Sequence, residues 1–202
     1  MKNYLEDENR EVRETCELAI KRIEDFNRNE CISGEFKSVD PTPALKKTIS
    51  NEELSKIFLD EKQSLFEKYR AMFALRNKVQ EDNDLEALKI LCQGFSKNEG
   101  PLFKHEGKLN KFQFQIVNSY FLVAFVLGQL EKEESTETLH KVLMDEEEHA
   151  MVRHEAAEAL GAICDEKSLK VLKEFQKDKV EPVRDSCVVA LDMHEYWSNF
   201  KK

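Results

Sequence analysis

Hydrophobic residues recur along most of this 202-residue chain at the three- and four-residue spacing of amphipathic helices. The stretch 151–161 shows the pattern clearly, because Ala156, Ala159 and Leu160 fall on one helical face. Shorter segments with comparable spacing are 85–94, 136–143 and 169–176. The pattern therefore predicts an all-α protein.

An internal repeat is the most informative feature of the sequence. The stretch 151–161 is matched 31 residues later by 182–192, and both copies place Val-Arg ahead of a stripe of small and apolar residues. A third copy opens at Val12-Arg13, and a looser copy spans 67–76. Helix pairs with a period in the thirties are typical of a HEAT-like α-solenoid, and we predict that architecture here.

A further copy becomes visible only when residues 107–122 are set aside. Residues 102–106 match the opening of the 151–161 copy, but the expected continuation starts at Val123. Without this segment, the His105-Glu106 and His154-Glu155 dyads are 33 residues apart instead of 49. The sequence therefore contains a segment that is foreign to the repeat.

The composition of residues 107–122 bears on their origin. The segment has no Asp or Glu and is rich in the residue types that AT-rich codons encode. We interpret it as a non-native insertion, a translated intron, and expect a poorly ordered segment in which Phe112, Phe114, Tyr120 and Phe121 have no place in the repeat core. The alternative is a genuine surface insertion of the kind that loops tolerate.

The rhythm of the repeats is also interrupted between residues 27 and 57. The stretch 38–43 contains two prolines and is typical of a turn or extended connection, and Ser50 is predicted to cap the next helix. We therefore divide the chain into a repeat at 1–26, a linker at 27–57 and a block of repeats at 58–202.

Composition and charge exclude several classes of protein. With 40 acidic and 31 basic residues the formal net charge is −9, which disfavours a nucleic-acid partner and favours a cationic one. The longest apolar stretch, 120–127, is far short of the roughly 20 residues of a membrane span, so no membrane partner is expected. Five cysteines without a CxxC pair indicate reduced thiols and a cytoplasmic location.

The candidate chemistry lies in the two His-Glu dyads that share a repeat position. If the repeats stack, His105-Glu106 and His154-Glu155 project onto one surface and together offer two imidazoles and two carboxylates. Such a ligand set suits iron or manganese and leaves positions open for oxygen. We predict no catalytic residue beyond these four metal ligands. The alternative is chance, since the dipeptide also occurs at His194-Glu195, out of register near the chain end.

Several stretches resemble signature sequences of the deoxyhypusine hydroxylase family. They stand in the order of that family along nearly the whole chain, at 12–17, 38–41, 65–77, 151–155 and 190–193. The resemblance implies a HEAT-repeat monooxygenase with a non-haem di-iron centre, which hydroxylates the deoxyhypusine side chain of translation initiation factor 5A to hypusine. It also implies four iron-binding dyads, of which His105-Glu106 and His154-Glu155 match the two in the second half.

The sequence departs from the family in ways that bear on activity. Residues 1–26 resemble the last repeat of the family's first half, so the two dyads of that half have no counterpart here. Asp185-Ser186 occupies the dyad position of a repeat in which the family carries no ligand. We therefore expect an incomplete or inactive form with at most half of the di-iron centre. The alternative function is a non-catalytic HEAT-repeat scaffold for protein interaction.

Overall fold

The computed structural model describes residues 4–7, 10–27, 40–60, 62–95 and 111–200. Within these ranges the chain is helical and contains no β-strand, which confirms the all-α prediction. A short 3-10 turn at Glu133–Ser135 precedes one of the helices. The helices are α1 (Arg10–Asn27), α2 (Asn51–Leu59), α3 (Leu65–Asp82), α4 (Leu85–Gln93), α5 (Lys111–Leu130), α6 (Thr136–Met144), α7 (Ala150–Ile163), α8 (Glu166–Phe175) and α9 (Glu181–Phe200).

The chain divides into two compact units, Met1–Ile90 and Leu91–Lys202. In the first unit α2 packs on α3, and α1 also contacts α3. Ser50 caps α2 in a reciprocal arrangement with Glu53, as the sequence predicts, because the two side chains satisfy backbone N–H groups at the helix start. The three-part division at residues 26 and 57 concerns repeat boundaries and stays a prediction.

In the second unit α7 packs between α5 and α9, while α6 and α8 pack against α7 and against each other. Small residues bring the α5–α7–α9 layer close together. A Cβ atom at Gly128 would lie 3.0 Å from the Cα of Ala159, and one at Gly161 would lie 2.5 Å from the Cβ of Ala190. Since Gly128 and Gly161 are 33 residues apart, this packing follows the same register as the sequence repeat.

Helix α5 begins inside the segment interpreted as an insertion and continues without a break to Leu130. Residues 107–110 lie outside the described ranges, whereas 111–122 are helical. The expectation that Tyr120 lacks a place in the core is wrong, because its side chain is only 8% exposed and its ring centroid lies 5.6 Å from that of Phe95. Tyr120 extends the stripe of Val123 and Leu127 by one helical turn. The origin of the segment, intron or genuine insertion, stays a prediction.

Helix α5 is a long apolar helix of 20 residues near the middle of the chain. Among the described residues no helix combines the length and the hydrophobicity that crossing a membrane requires. Several side chains of α5 instead pack in the core of the second unit, among them Val123, Val126 and Leu127.

Candidate metal site

The candidate site is carried by α7, whose ends are defined by local contacts. The backbone N–H of Met151 donates to Nδ1 of His149 at 3.2 Å, so the His149 side chain caps the helix start. The helix ends at Ile163 and is followed by Cys164, which adopts a left-handed conformation with φ of 56°. This helix places His154, Glu155 and Glu158 within little more than one turn of each other.

Three potential ligand atoms converge on α7. One atom each from His154, Glu155 and Glu158 lies within 4.8 Å of the others, and within the described ranges this is the one such group of three or more metal-capable residues. The Nε2 atom of His154 is 3.4 Å from a carboxylate oxygen of Glu158. The predicted dyad His154-Glu155 is therefore joined by a third residue.

Glu155 is the electrostatically unusual member of the group. Its side chain is buried, at 6% exposed, and no described residue donates a hydrogen bond to its carboxylate. The pKa of Glu155 is raised to about 7, mainly by burial and in smaller part by the nearby Glu158 carboxylate, while His154 acts to lower it. A bound cation would stabilise the ionised form of this carboxylate.

The neighbouring helix supports His154 from the other side. Oγ of Ser186, on α9, lies 2.6 Å from Nδ1 of His154, a hydrogen-bond distance whose donor depends on the imidazole tautomer. Ser186 is itself buried. The imidazole is thus held between α9 at one nitrogen and Glu158 at the other.

Glu158 was missed by reasoning that looked only for adjacent His-Glu pairs. It follows His154 by four residues, and side chains with that spacing lie next to each other on a helix. The helical spacing rule could have found it. Its side chain is about half exposed, at 54%, so it lies at the solvent-facing side of the group.

The second predicted dyad, His105-Glu106, lies outside the described residues, and its role as a metal ligand stays a prediction. In the register set by Gly128 and Gly161, the α5 positions equivalent to His154 and Glu155 hold Phe121 and Leu122. Both of these side chains are partly buried. Residues 107–122 therefore separate the dyad in sequence from the helical positions where the repeat would place it.

Comparison with known proteins is consistent with this architecture. A family model described as HEAT repeats matches residues 121–192, which confirms the HEAT-like prediction for that part of the chain. Fold and site together define a HEAT-repeat protein with a candidate metal site.

The sequence relatives are deoxyhypusine hydroxylases. Deoxyhypusine hydroxylase-B of Oryza sativa subsp. japonica is 40% identical over 190 residues, covering 92% of this chain and 56% of the relative. The enzyme of Schizosaccharomyces pombe is 42% identical over 206 residues, covering 96% and 58%. The solved structure of human deoxyhypusine hydroxylase in complex with glycerol is 38% identical, with a TM-score of 0.75, covering 96% of this chain and 61% of that one.

The resemblance to the deoxyhypusine hydroxylase family is therefore confirmed. The chain is homologous to these proteins over nearly all of its own length, and it spans between half and two thirds of theirs.

Proposed function

We propose that this chain provides one metal-binding face of a deoxyhypusine hydroxylase, an iron-dependent monooxygenase acting on translation initiation factor 5A. The observation that carries the proposal is the convergence of His154, Glu155 and Glu158 on one helix, in a chain about 40% identical to enzymes of that name. The proposed protein substrate is the deoxyhypusine form of the factor.

The donor set fits the proposed metal. One imidazole nitrogen with carboxylate oxygens is a hard-to-borderline set, which suits Fe²⁺ better than soft thiophilic metals. Glu155 is largely buried and its carboxylate accepts no hydrogen bond from a described residue, so a cation would offset the cost of desolvating its charge. Iron held at this site would supply the activation of dioxygen that a hydroxylation needs.

The residues of the chain have separate proposed tasks. His154 and Glu155 are the proposed ligands, and Glu155 balances the charge of the metal. The half-exposed Glu158 lies at the solvent-facing side of the site, where its carboxylate favours the approach of the cationic amine of the substrate. His105-Glu106 is proposed as a second ligand pair, although residues 107–122 separate it from the equivalent position on α5.

Iron titration of the purified chain tests this proposal. The sequence contains two His-Glu dyads in the repeat register against the four that the family resemblance implies, so we expect weak binding of at most one equivalent of Fe²⁺ per chain. His154→Ala should abolish the binding, whereas the matched control His140→Ala, on α6, should leave it unchanged. Equal iron binding by the His154→Ala variant, or two tightly held irons per chain, would contradict the assignment.

One observation favours the alternative function, a non-catalytic interaction scaffold. Helix α9 exposes Val189, Met193 and Tyr196, which follow one another at helical spacing. Such a stripe is typical of a surface used for protein association. Oxygen-dependent hydroxylation of the deoxyhypusine form of factor 5A by the iron-loaded chain would reject the scaffold, and its absence together with absent iron binding would favour it.

A further inference from the structure

We infer that Ser186 is a positioning residue for the metal site, orienting the His154 imidazole so that its Nε2 atom is turned toward the two carboxylates. The inference rests on the proposed function, since it assumes that His154 is a metal ligand. It concerns a residue of the next repeat, on a different helix from the candidate ligands.

The geometry at Ser186 leaves the imidazole little freedom. Its Oγ atom is 2.6 Å from Nδ1 of His154, while Oε1 of Glu158 is 3.4 Å from Nε2 at the opposite side of the ring. About one to two helical turns further along, α7 and α9 also approach closely at Gly161 and Ala190, where a Cβ at position 161 would require a shift. The Ser186 hydroxyl therefore reaches the His154 ring from α9, and the close packing of α7 on α9 keeps the two side chains near each other.

The chemistry of imidazole explains why this contact matters for metal binding. A neutral histidine that binds a metal through Nε2 carries its proton on Nδ1, and that N–H requires an acceptor when it is buried. Metal-bound histidines are commonly oriented by such a partner, and removing the partner weakens metal binding about 10- to 100-fold. The Ser186 oxygen accepts this proton without adding negative charge beside the carboxylates of Glu155 and Glu158.

The repeat gives an independent reason to single out this position. Ser186 follows Glu155 by 31 residues, which is the repeat spacing, so it occupies the dyad carboxylate position of the last repeat. The last repeat has no His-Glu dyad, and it contributes Ser186 as a neutral hydrogen-bond partner for His154 in the preceding repeat. A carboxylate here would place a third negative charge next to the site.

Zinc titration separates this role from a purely structural one. Zn²⁺ is a diamagnetic probe that binds imidazole and carboxylate. We expect Ser186→Ala to bind Zn²⁺ about 10- to 100-fold more weakly than the unaltered chain. Ser186→Thr, which keeps the hydroxyl, should retain the affinity within a few-fold. Ser168→Ala, which removes another buried serine hydroxyl from α8, is the matched control and should leave the affinity unchanged.

Nitrogen-15 NMR of the Zn²⁺-loaded unaltered chain provides a readout that does not depend on any variant folding. We expect the proton of the His154 ring on Nδ1 and the metal on Nε2; the reverse arrangement would overturn the inference. Unchanged affinity in a folded Ser186→Ala variant would also overturn it while leaving the metal site intact. If the unaltered chain binds no Zn²⁺, the metal site and this inference both fail.

Discussion

Removing one partner of a buried ion pair next to the candidate site should strongly destabilise the second unit. Arg153, the residue before His154, donates from Nε to the backbone carbonyl of Leu143 at 2.8 Å and from Nη2 to Asp178 at 2.5 Å. The side chains of Arg153 and Asp178 are only 3% and 10% exposed. The pair therefore links the end of α6 and the turn after α8 to the helix that carries the site.

The expected effect of Asp178→Asn follows from this burial. Removing one partner of a buried pair leaves the other charge uncompensated, which typically destabilises by about 3–5 kcal/mol. Because asparagine keeps an oxygen that can still accept the 2.8 Å hydrogen bond from the N–H of Val180, we expect a loss of about 3 kcal/mol. The matched control Asp185→Asn alters a pair with Arg184 whose side chains are 59% and 39% exposed, and should cost less than about 1 kcal/mol.

The dependence on pH provides a second signature of the pair. Burial acts to raise the pKa of Asp178, but hydrogen bonds from Arg153 and Val180 outweigh it and hold the pKa below 3.8. Because the folded pKa is depressed, the stabilisation is present above pH 3.8 and is lost as the pH falls below that value. The difference in stability between the unaltered chain and Asp178→Asn should therefore shrink in acid.

Urea denaturation measures both effects. Trp197, the single tryptophan of the chain, lies in α9 of the same unit, so its fluorescence can be followed alongside far-UV circular dichroism. If Asp178→Asn lowers the free energy of unfolding at neutral pH no more than Asp185→Asn does, the reasoning about burial is refuted.

Two further predictions concern the packing of the repeats. Gly161→Ala should destabilise the second unit by about 1–3 kcal/mol, because the new Cβ would lie 2.5 Å from the Cβ of Ala190, and adding Ala190→Gly should recover most of the loss in a denaturation experiment. Deleting residues 107–122 should bring His105-Glu106 into the dyad register on α5 and raise both the melting temperature and iron uptake. The lost burial of Tyr120 works against this gain, and a lower melting temperature on deletion would contradict the insertion hypothesis.

Much of the helical architecture could be predicted because its determinants are local. The periodic segments 85–94, 136–143 and 169–176 coincide with α4, α6 and α8 to within a few residues. Apolar spacing and capping residues such as Ser50 lie within each helix or next to it, so neighbouring residues carry the signal. The repeat could also be predicted, because the copies at 151–161 and 182–192 have the same or similar residues at equivalent positions.

The fate of residues 107–122 was harder to judge from the sequence. The absence of Asp and Glu and the break in the repeat marked the segment as foreign to the repeat. Neither feature reveals whether an aromatic side chain in it is buried in the core. Tyr120 lies in the core because α5 continues through the segment and brings its ring next to Phe95. Phe95 and Tyr120 are far apart in sequence, so the hydrophobic pattern within each helix does not predict their contact.

The sequence by itself determined which residues are able to bind a metal at His154-Glu155 and which repeat position they occupy. Only the tertiary structure decided their environment: the burial of Glu155, the proximity of Glu158, and the hydrogen-bond distance from Ser186. The physical reason is that burial and orientation depend on how closely α7 approaches α9, across 31 residues of chain. That approach is set by the contact of Gly161 with Ala190, a long-range packing term that no local periodicity encodes.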